Sequence, residues 1–385
     1  MNRKQFIILL VLVVVIGGAG LVIHQRNRQS WQSAGTAIGQ KLLPNLAVND
    51  IAQIQIQSGT NILNLARKND LWRVAERADY PADFNKISGL LLKLADLKVV
   101  QSDEMGPSQL SRLDLLPPGP GTNTATLIEF KDQSGKALDS LLLGKQHQQK
   151  PPANSQFGGM GDEGWPDGRY VMTGGDGKTV DVISDPLETV QAQPEPWLNK
   201  EFLSIENPRS IAVQFPETTN SWKLTRASTT NDWQLAGAQP GEKLDATKIS
   251  DVTSPFASAS FSDVEPLGTA AITNLAMLTV KTFDGFTYVA DIRPKQGDNY
   301  PVSLNISASL PAARFTTQEE KPGDKAKLDQ AFKAEHDRLT AKLAREQSYE
   351  KWIYSLPAYS LDELLKTRSQ LLTEEKKPAP AEPAK

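Results

Sequence analysis

The sequence predicts an α+β protein: an N-terminal transmembrane helix, then two diverged tandem repeats of strand meander, helix and hairpin, then a charged helix. Three observations carry this reading. Residues Phe6 to Ile23 run without a single charge. From Leu71 to Val100 the chain passes from a short strand, LWRV, through Tyr80-Pro81-Ala82-Asp83 into an amphipathic helix. A weaker copy of that plan returns downstream, with Asp83, Lys86, Ile87 and Ser88 matched by Asp245, Lys248, Ile249 and Ser250.

The apolar run FIILLVLVVVIGGAGLVI is eighteen residues long, and as a helix it spans roughly 27 Å, close to the ~30 Å hydrocarbon core of a bilayer. Two readings compete. A cleaved signal peptide suits the basic start (Arg3, Lys4) and the small residues Gly17-Gly18-Ala19-Gly20. An uncleaved anchor suits the return of apolar character at Leu21-Val22-Ile23 and the lack of a clean A-x-A site, and it is the reading preferred here. Residues 1–5 then form a cytoplasmic stub, 6–23 the anchor and 24–48 a juxtamembrane stalk carrying Trp31, with the body outside the cytoplasm. Arg26 and Arg28 nearly balance the basic residues of the stub, so it is the long body that sets this orientation.

From residue 49 the pattern alternates. Ile54 and Ile56 form one strand, Ile62, Leu63 and Leu65 a second, and Leu71-Trp72-Arg73-Val74 a third, with turns at Ser58–Asn61 and Lys68–Asp70. Asp83 is a suitable N-cap, since its carboxylate can accept from the free N–H groups of the first turn. Phe84, Ile87, Leu91 and Leu94 then recur at helical spacing. Thr126–Phe130 and Leu138–Leu143 flank Asp132-Gln133-Ser134-Gly135 as a hairpin, and residues 145–168 read as a polar, glycine-rich loop. Strands at Tyr170–Met172 and Thr179–Ile183 complete a first repeat over 49–193.

A second repeat covers 194–316. Leu65 and Arg67 match Leu224 and Arg226, Trp72 matches Trp233, Leu127 matches Leu278 and Gly135 matches Gly285. The helix after Asp245 is weak, because Pro255 interrupts Ile249, Val252 and Phe256. Residues 317–349 read as a charged helical insertion, whose stripe of Leu328, Phe332, Leu339 and Leu343 docks on the body or pairs with a partner helix. Residues 350–372 supply a closing strand at Trp352-Ile353-Tyr354 and a short helix over Leu361–Leu372. A proline- and alanine-rich tail, 373–385, is expected to be disordered.

Composition excludes several function classes. A formal net charge of −3 provides no general attraction for nucleic acid. The chain has no cysteine, which removes thiolate nucleophiles, zinc ribbons, iron–sulfur clusters and lipoprotein acylation. His24, His147 and His336 fall far apart, in no metal-ligand spacing. The loop Gly158–Gly164 lacks the lysine of a phosphate loop and carries Asp162 and Glu163 where phosphate would sit. Those two acids, Glu319/Glu320 and the scattered lysines and arginines read as solvated charge, and Tyr80 as a core residue. The expectation is therefore no catalytic residue, no metal and no cofactor.

The stretch WRV…YPAD…KI…LLxLxxLK, preceded by an apolar span, resembles the bacterial family called domain of unknown function 4340. The resemblance runs over about residues 50–310, with a further match near Trp352-Ile353-Tyr354. It implies a single-span envelope protein, often encoded beside ABC-transporter parts of the gliding-motility type, and brings no catalytic residues. The expected function is a non-enzymatic accessory or scaffold subunit of a bacterial envelope complex, anchored in the inner membrane with its body periplasmic or otherwise extracytoplasmic. The alternative is a membrane-tethered binding module for a lipid or cell-wall ligand.

Overall fold

A computed structural model describes residues 38–149, 165–174, 177–253, 259–268, 273–316 and 321–373. The expected anchor over 6–23, the loop Gly158–Gly164 and the acids Glu319/Glu320 lie outside these residues, as does the tail beyond Thr373. No described helix is long and apolar enough to cross a membrane. The chain is an α+β protein with two antiparallel sheets and a long C-terminal helix, and it divides into two compact units, Met1–Asn199 and Lys200–Lys385.

In the first unit the meander forms β1 (Gln53–Ser58), β2 (Asn61–Lys68) and β3 (Leu71–Val74), followed by the short β4 (Tyr80–Pro81). Helix α1 (Phe84–Asp96) follows and buries Ile87, Leu90, Leu91 and Leu94. Then come β5 (Val99–Glu104), β6 (Thr126–Lys131), β7 (Ala137–Gln149), β8 (Trp165–Thr173) and β9 (Thr179–Ile183). The sheet order is β4-β3-β2-β1-β6-β7-β8-β9-β5. β7 and β8 run further than their sequence suggests, so both ends of the expected 145–168 loop belong to paired strands, with Gln149 opposite Trp165.

Helix α1 joins β4 on one edge of this sheet to β5 on the other. Nine strands at ~4.8 Å spacing cover roughly 38 Å when flat, whereas thirteen helical residues reach only about 20 Å. The extended residues 82–83 and 97–98 on either side of the helix supply the rest of the crossing. Its apolar face is continuous across the register: Ile54 lies between Leu65 and Phe130, and Ile56 between Leu63 and Ile128, and all six are buried.

In the second unit β10 (Pro208–Gln214), β11 (Trp222–Thr225) and β12 (Gln234–Leu235) precede the eight-residue α2 (Ala246–Thr253). Strands β13 (Asp263–Pro266), β14 (Ala276–Thr282), β15 (Phe286–Ile292) and β16 (Asn299–Ala308) come next. Helix α3 (Pro322–Gln347) leads to β17 (Trp352–Pro357). The order is β12-β11-β10-β14-β15-β16-β17-β13. Apart from β4, strand for strand, this is the order of the first sheet. Helix α3 occupies the connection between β16 and β17; the corresponding strands β8 and β9 are joined by residues 174–178 alone.

Only the C-terminal half of α3 is packed. Leu328 is 43% exposed, so the expected stripe does not seat along its whole length, whereas Glu346 is buried. Beyond Ser303, β16 has outrun its pairing with β17, and side chains from the end of α3 and the turn after it replace the missing ladder. The Ile306 N–H donates to Glu350 at 2.6 Å, and Gln347 donates to the Ile306 carbonyl at 3.2 Å.

The expected helix over Leu361–Leu372 is not formed. One turn (Ala358–Leu361) is followed by a 3-10 turn (Arg368–Leu371). A continuous helix would consume the Lys366 carbonyl, which this segment gives to Trp222 instead. The Lys366 carbonyl accepts from the Trp222 indole at 2.7 Å, the Leu371 carbonyl accepts from the Asp245 N–H at 3.0 Å, and Leu372 bridges to Leu244.

One offset needs correction. The register sets Ile54 against Leu65 and Phe130, and Ile211 against Leu224 and Val280. Ile128 therefore corresponds to Leu278, and Leu127 to Met277. Pairing Leu127 with Leu278 is one residue out, and in a strand a one-residue slip exchanges the two faces. Ile128 and Leu278 are buried, while Leu127 and Met277 are partly exposed. The turn glycines Gly135 and Gly285 share the same separation as Ile128 and Leu278, and both have positive φ, +85° and +88°.

Candidate functional site

The candidate site is the open face of the second sheet, where strand alternation turns polar side chains away from the core. Across four adjacent pairings Gln234 faces Thr225, Thr225 faces Ser210, Ser210 faces Lys281 and Lys281 faces Thr287. At ~4.8 Å per strand this row of amide, hydroxyl and ammonium groups is roughly 19 Å wide. In the next row Lys223 faces Ala212, and Ala212 faces Thr279. A cleft of about 570 Å³ opens over the first row and Lys223 and is lined also by Arg209 and Arg226; no carboxylate lines it.

Arg226 is the fixed wall of the cleft. Its guanidinium donates to the carbonyls of Pro208 at 2.7 Å and Thr229 at 3.0 Å, and stacks over the Trp233 ring at 4.7 Å. Burial holds its pKa below the ordinary arginine value. Trp233 thus keeps the place of Trp72 in the pattern but not its environment, since Trp72 is buried in the core.

The first sheet carries the same row with different chemistry. Its members are Arg73, Ala66, Gln53, Lys131 and Ala137, so Lys131 stands where Lys281 does. There the lysine is neutralised within the sheet. Its ammonium lies 3.1 Å from Glu129 and donates to Gln55 at 3.1 Å; Gln55 donates to Asn64 at 2.9 Å, and Asn64 to Glu76 at 2.7 Å. In the second sheet Thr279 replaces Glu129, Ala212 replaces Gln55 and Lys223 replaces Asn64. The Lys223 and Lys281 ammonium groups have no hydrogen-bond or ion-pair partner among the described residues.

Near the corresponding strand ends of the first sheet lies a cleft of about 690 Å³ whose charged lining is mainly acidic: Asp50, Asp70 and Asp132, with Arg67. Two of these acids are already engaged. Asp70 pairs with Arg67 at 3.1 Å, and Asp132 accepts from the Ser134 hydroxyl, which together with turn N–H groups holds its carboxyl below the usual range. A third space, between the buried face of the second sheet and the segments around Phe202 and Leu361, is apolar and only about 60 Å³.

The residues weighed from the sequence do not converge. Tyr80 is 2% exposed and pairs with Val74 in the sheet. His147 contacts Asp167 at 2.6 Å, while His336 lies on α3 beside Phe332. Among the described residues no three histidines, aspartates or glutamates are grouped to hold a metal. What sequence reasoning missed is the Lys281 row. Its residues read as scattered surface charge until the strand register places them side by side. The available signal was the shared separation of Lys131 from Lys281 and of Gly135 from Gly285.

No curated protein and no solved structure matches the chain. The pattern of one family, described as Domain of unknown function (DUF4340), matches residues 72–277, beginning in β3, ending in β14 and so drawing on both units. With more than half of its length matched, the chain belongs to the DUF4340 family.

Proposed function

We propose that this protein is a membrane-anchored, extracytoplasmic accessory or scaffold subunit of a bacterial envelope complex, associated with an ABC-type transporter of the gliding-motility type. The observation that carries this reading is the uncharged run Phe6–Ile23 ahead of two sheet units. On this reading residues 6–23 are an inner-membrane span with the N-terminus cytoplasmic. The common strand order of the two sheets supports a further step, that the units are diverged copies of one duplicated ancestor. The matching Asp83 and Asp245 caps and the matching glycine turns support the same step.

A scaffold role suits a chain whose retained features are caps, turns and core positions. The binding-module alternative ranks second for a lipid, because the apolar space of about 60 Å³ is far too small for an acyl chain. The decisive experiment is crosslinking of the full chain in native membranes, followed by detergent extraction and capture. Recovery of transporter subunits in a fixed ratio is the expected result. A chain extracted by alkaline carbonate, or captured without any membrane protein, would sink the proposal.

A further inference from the structure

We propose that the open face of the second sheet binds a small phosphate-bearing anion, held by Lys223 and Lys281 and oriented by the hydroxyls of Ser210, Thr225 and Thr287. This goes beyond the scaffold reading and does not depend on it.

The argument is a comparison of one position in two sheets. Lys131 and Lys281 share a place in the register, and in the first sheet the lysine is matched by a carboxylate on the same strand and an amide on the next. The second sheet lacks both groups and adds a second cation at Lys223, so charge accumulates where it was balanced. Ser210 and Thr287 flank Lys281 with donors, and Thr225 faces Ser210 from the strand that carries Lys223, whose own partner across the pairing is the small Ala212. Two ammonium groups, three hydroxyls and no carboxylate match a group with several charged oxygens better than a single carboxylate. The volume, about 570 Å³, is that of a small-molecule pocket.

The test is calorimetric titration of inorganic pyrophosphate into the full chain in detergent, at low and at raised sodium chloride. Saturable binding that weakens with salt is expected. Replacing Lys223 and Lys281 together by alanine should weaken it at least ~10-fold. The double variant Ala212→Gln, Thr279→Glu, which rebuilds the first sheet's arrangement, should weaken it similarly without removing either lysine. Lys281→Arg should retain binding, and Lys131→Ala should leave it unchanged. Absence of saturable binding at low salt overturns the proposal, as does equal affinity in the rebuilt variant or an equal loss in Lys131→Ala. Binding confined to phosphatidylglycerol vesicles overturns it too, since the ligand is then a membrane surface. Failure here leaves the capture of envelope partners untouched, so the two readings fall separately.

Discussion

The backbone N–H of Asp83 donates to the carbonyl of Trp197 at 2.8 Å, so the residue that starts α1 is also tied to the turn that closes its unit. Asp245 repeats the arrangement with Leu371 at 3.0 Å. In both, the aspartate side chain then accepts from the N–H groups two and three residues on, at 3.0 and 3.3 Å. Each aspartate thus joins a local cap to a long-range closure, which explains why this feature survives while the helices it starts differ in length.

Substitution of either cap should therefore be felt by the whole unit. Asp83→Ala and Asp245→Ala are each expected to cost about 1 kcal/mol in denaturant unfolding, whereas Asp83→Asn should be nearly neutral, because asparagine caps as well as aspartate. An equal loss from alanine and asparagine would mean that charge, not capping, is what matters.

A second tie between helix start and closing turn is an ion pair whose sign differs between the units. Arg77 meets Glu195 at 2.8 Å, while Glu242 meets Arg368 at 2.7 Å. The Arg368 hydrogen bond, with that from the Gln239 N–H, holds the Glu242 carboxyl below its ordinary pKa. A depressed folded-state pKa gives stability that is present above the unfolded value and is lost as pH falls through the folded one. Arg368→Gln should therefore flatten the acid limb of the stability profile below the ordinary carboxylate range. The charge-swapped double variant, Glu242→Arg with Arg368→Glu, should restore part of the neutral-pH stability, as measured in a double-mutant cycle.

The two turn glycines offer a comparison at matched backbone geometry. A Cβ on Gly285 would stand 2.5 Å from the Ser309 carbonyl oxygen, whereas one on Gly135 meets nothing within 4 Å. Gly135→Ala should cost about 1–2 kcal/mol, the left-handed penalty alone. Gly285→Ala should cost distinctly more, since it also displaces backbone. Unfolding midpoints of the two variants, measured side by side, decide this.

These comparisons show where the sequence was legible. Strands, the Asp83 and Asp245 caps and the Asp132–Gly135 hairpin follow from local chemistry, so alternation and turn residues revealed them. The face of Leu127 was not legible, because two adjacent apolar residues leave the phase of a strand open until its neighbours fix it. The end of the chain misled for a related reason. Leu361, Leu364 and Leu371 have a helix-like spacing, yet the long-range demand of Trp222 on the Lys366 carbonyl opposes it. The Lys281 row was invisible for the strongest reason, being assembled from five strands that only the register aligns.

The docked end of α3 rests on a buried pair with a definite pH signature. The Tyr288 hydroxyl donates to Glu346 at 2.8 Å, and both residues are buried, with Lys342 3.9 Å from the same carboxylate. Burial raises the Glu346 pKa above its ordinary value, against the opposing pull of the Tyr288 hydrogen bond and of Lys342. The folded state then holds its proton more tightly than the unfolded one, so this group's contribution to stability falls as pH rises through the carboxylate range. Glu346→Gln should remove that fall and be neutral or stabilising at pH 7–8. Tyr288→Phe should instead cost about 1–3 kcal/mol at neutral pH, by leaving a buried carboxylate without its donor, and less in acid, where the carboxyl is protonated. Combining the two substitutions should cost less than Tyr288→Phe alone at neutral pH, because no charge is then left stranded. Urea unfolding of the three variants across pH 4–8 measures this, and a Tyr288→Phe loss that does not change with pH would rule out Glu346 as its cause.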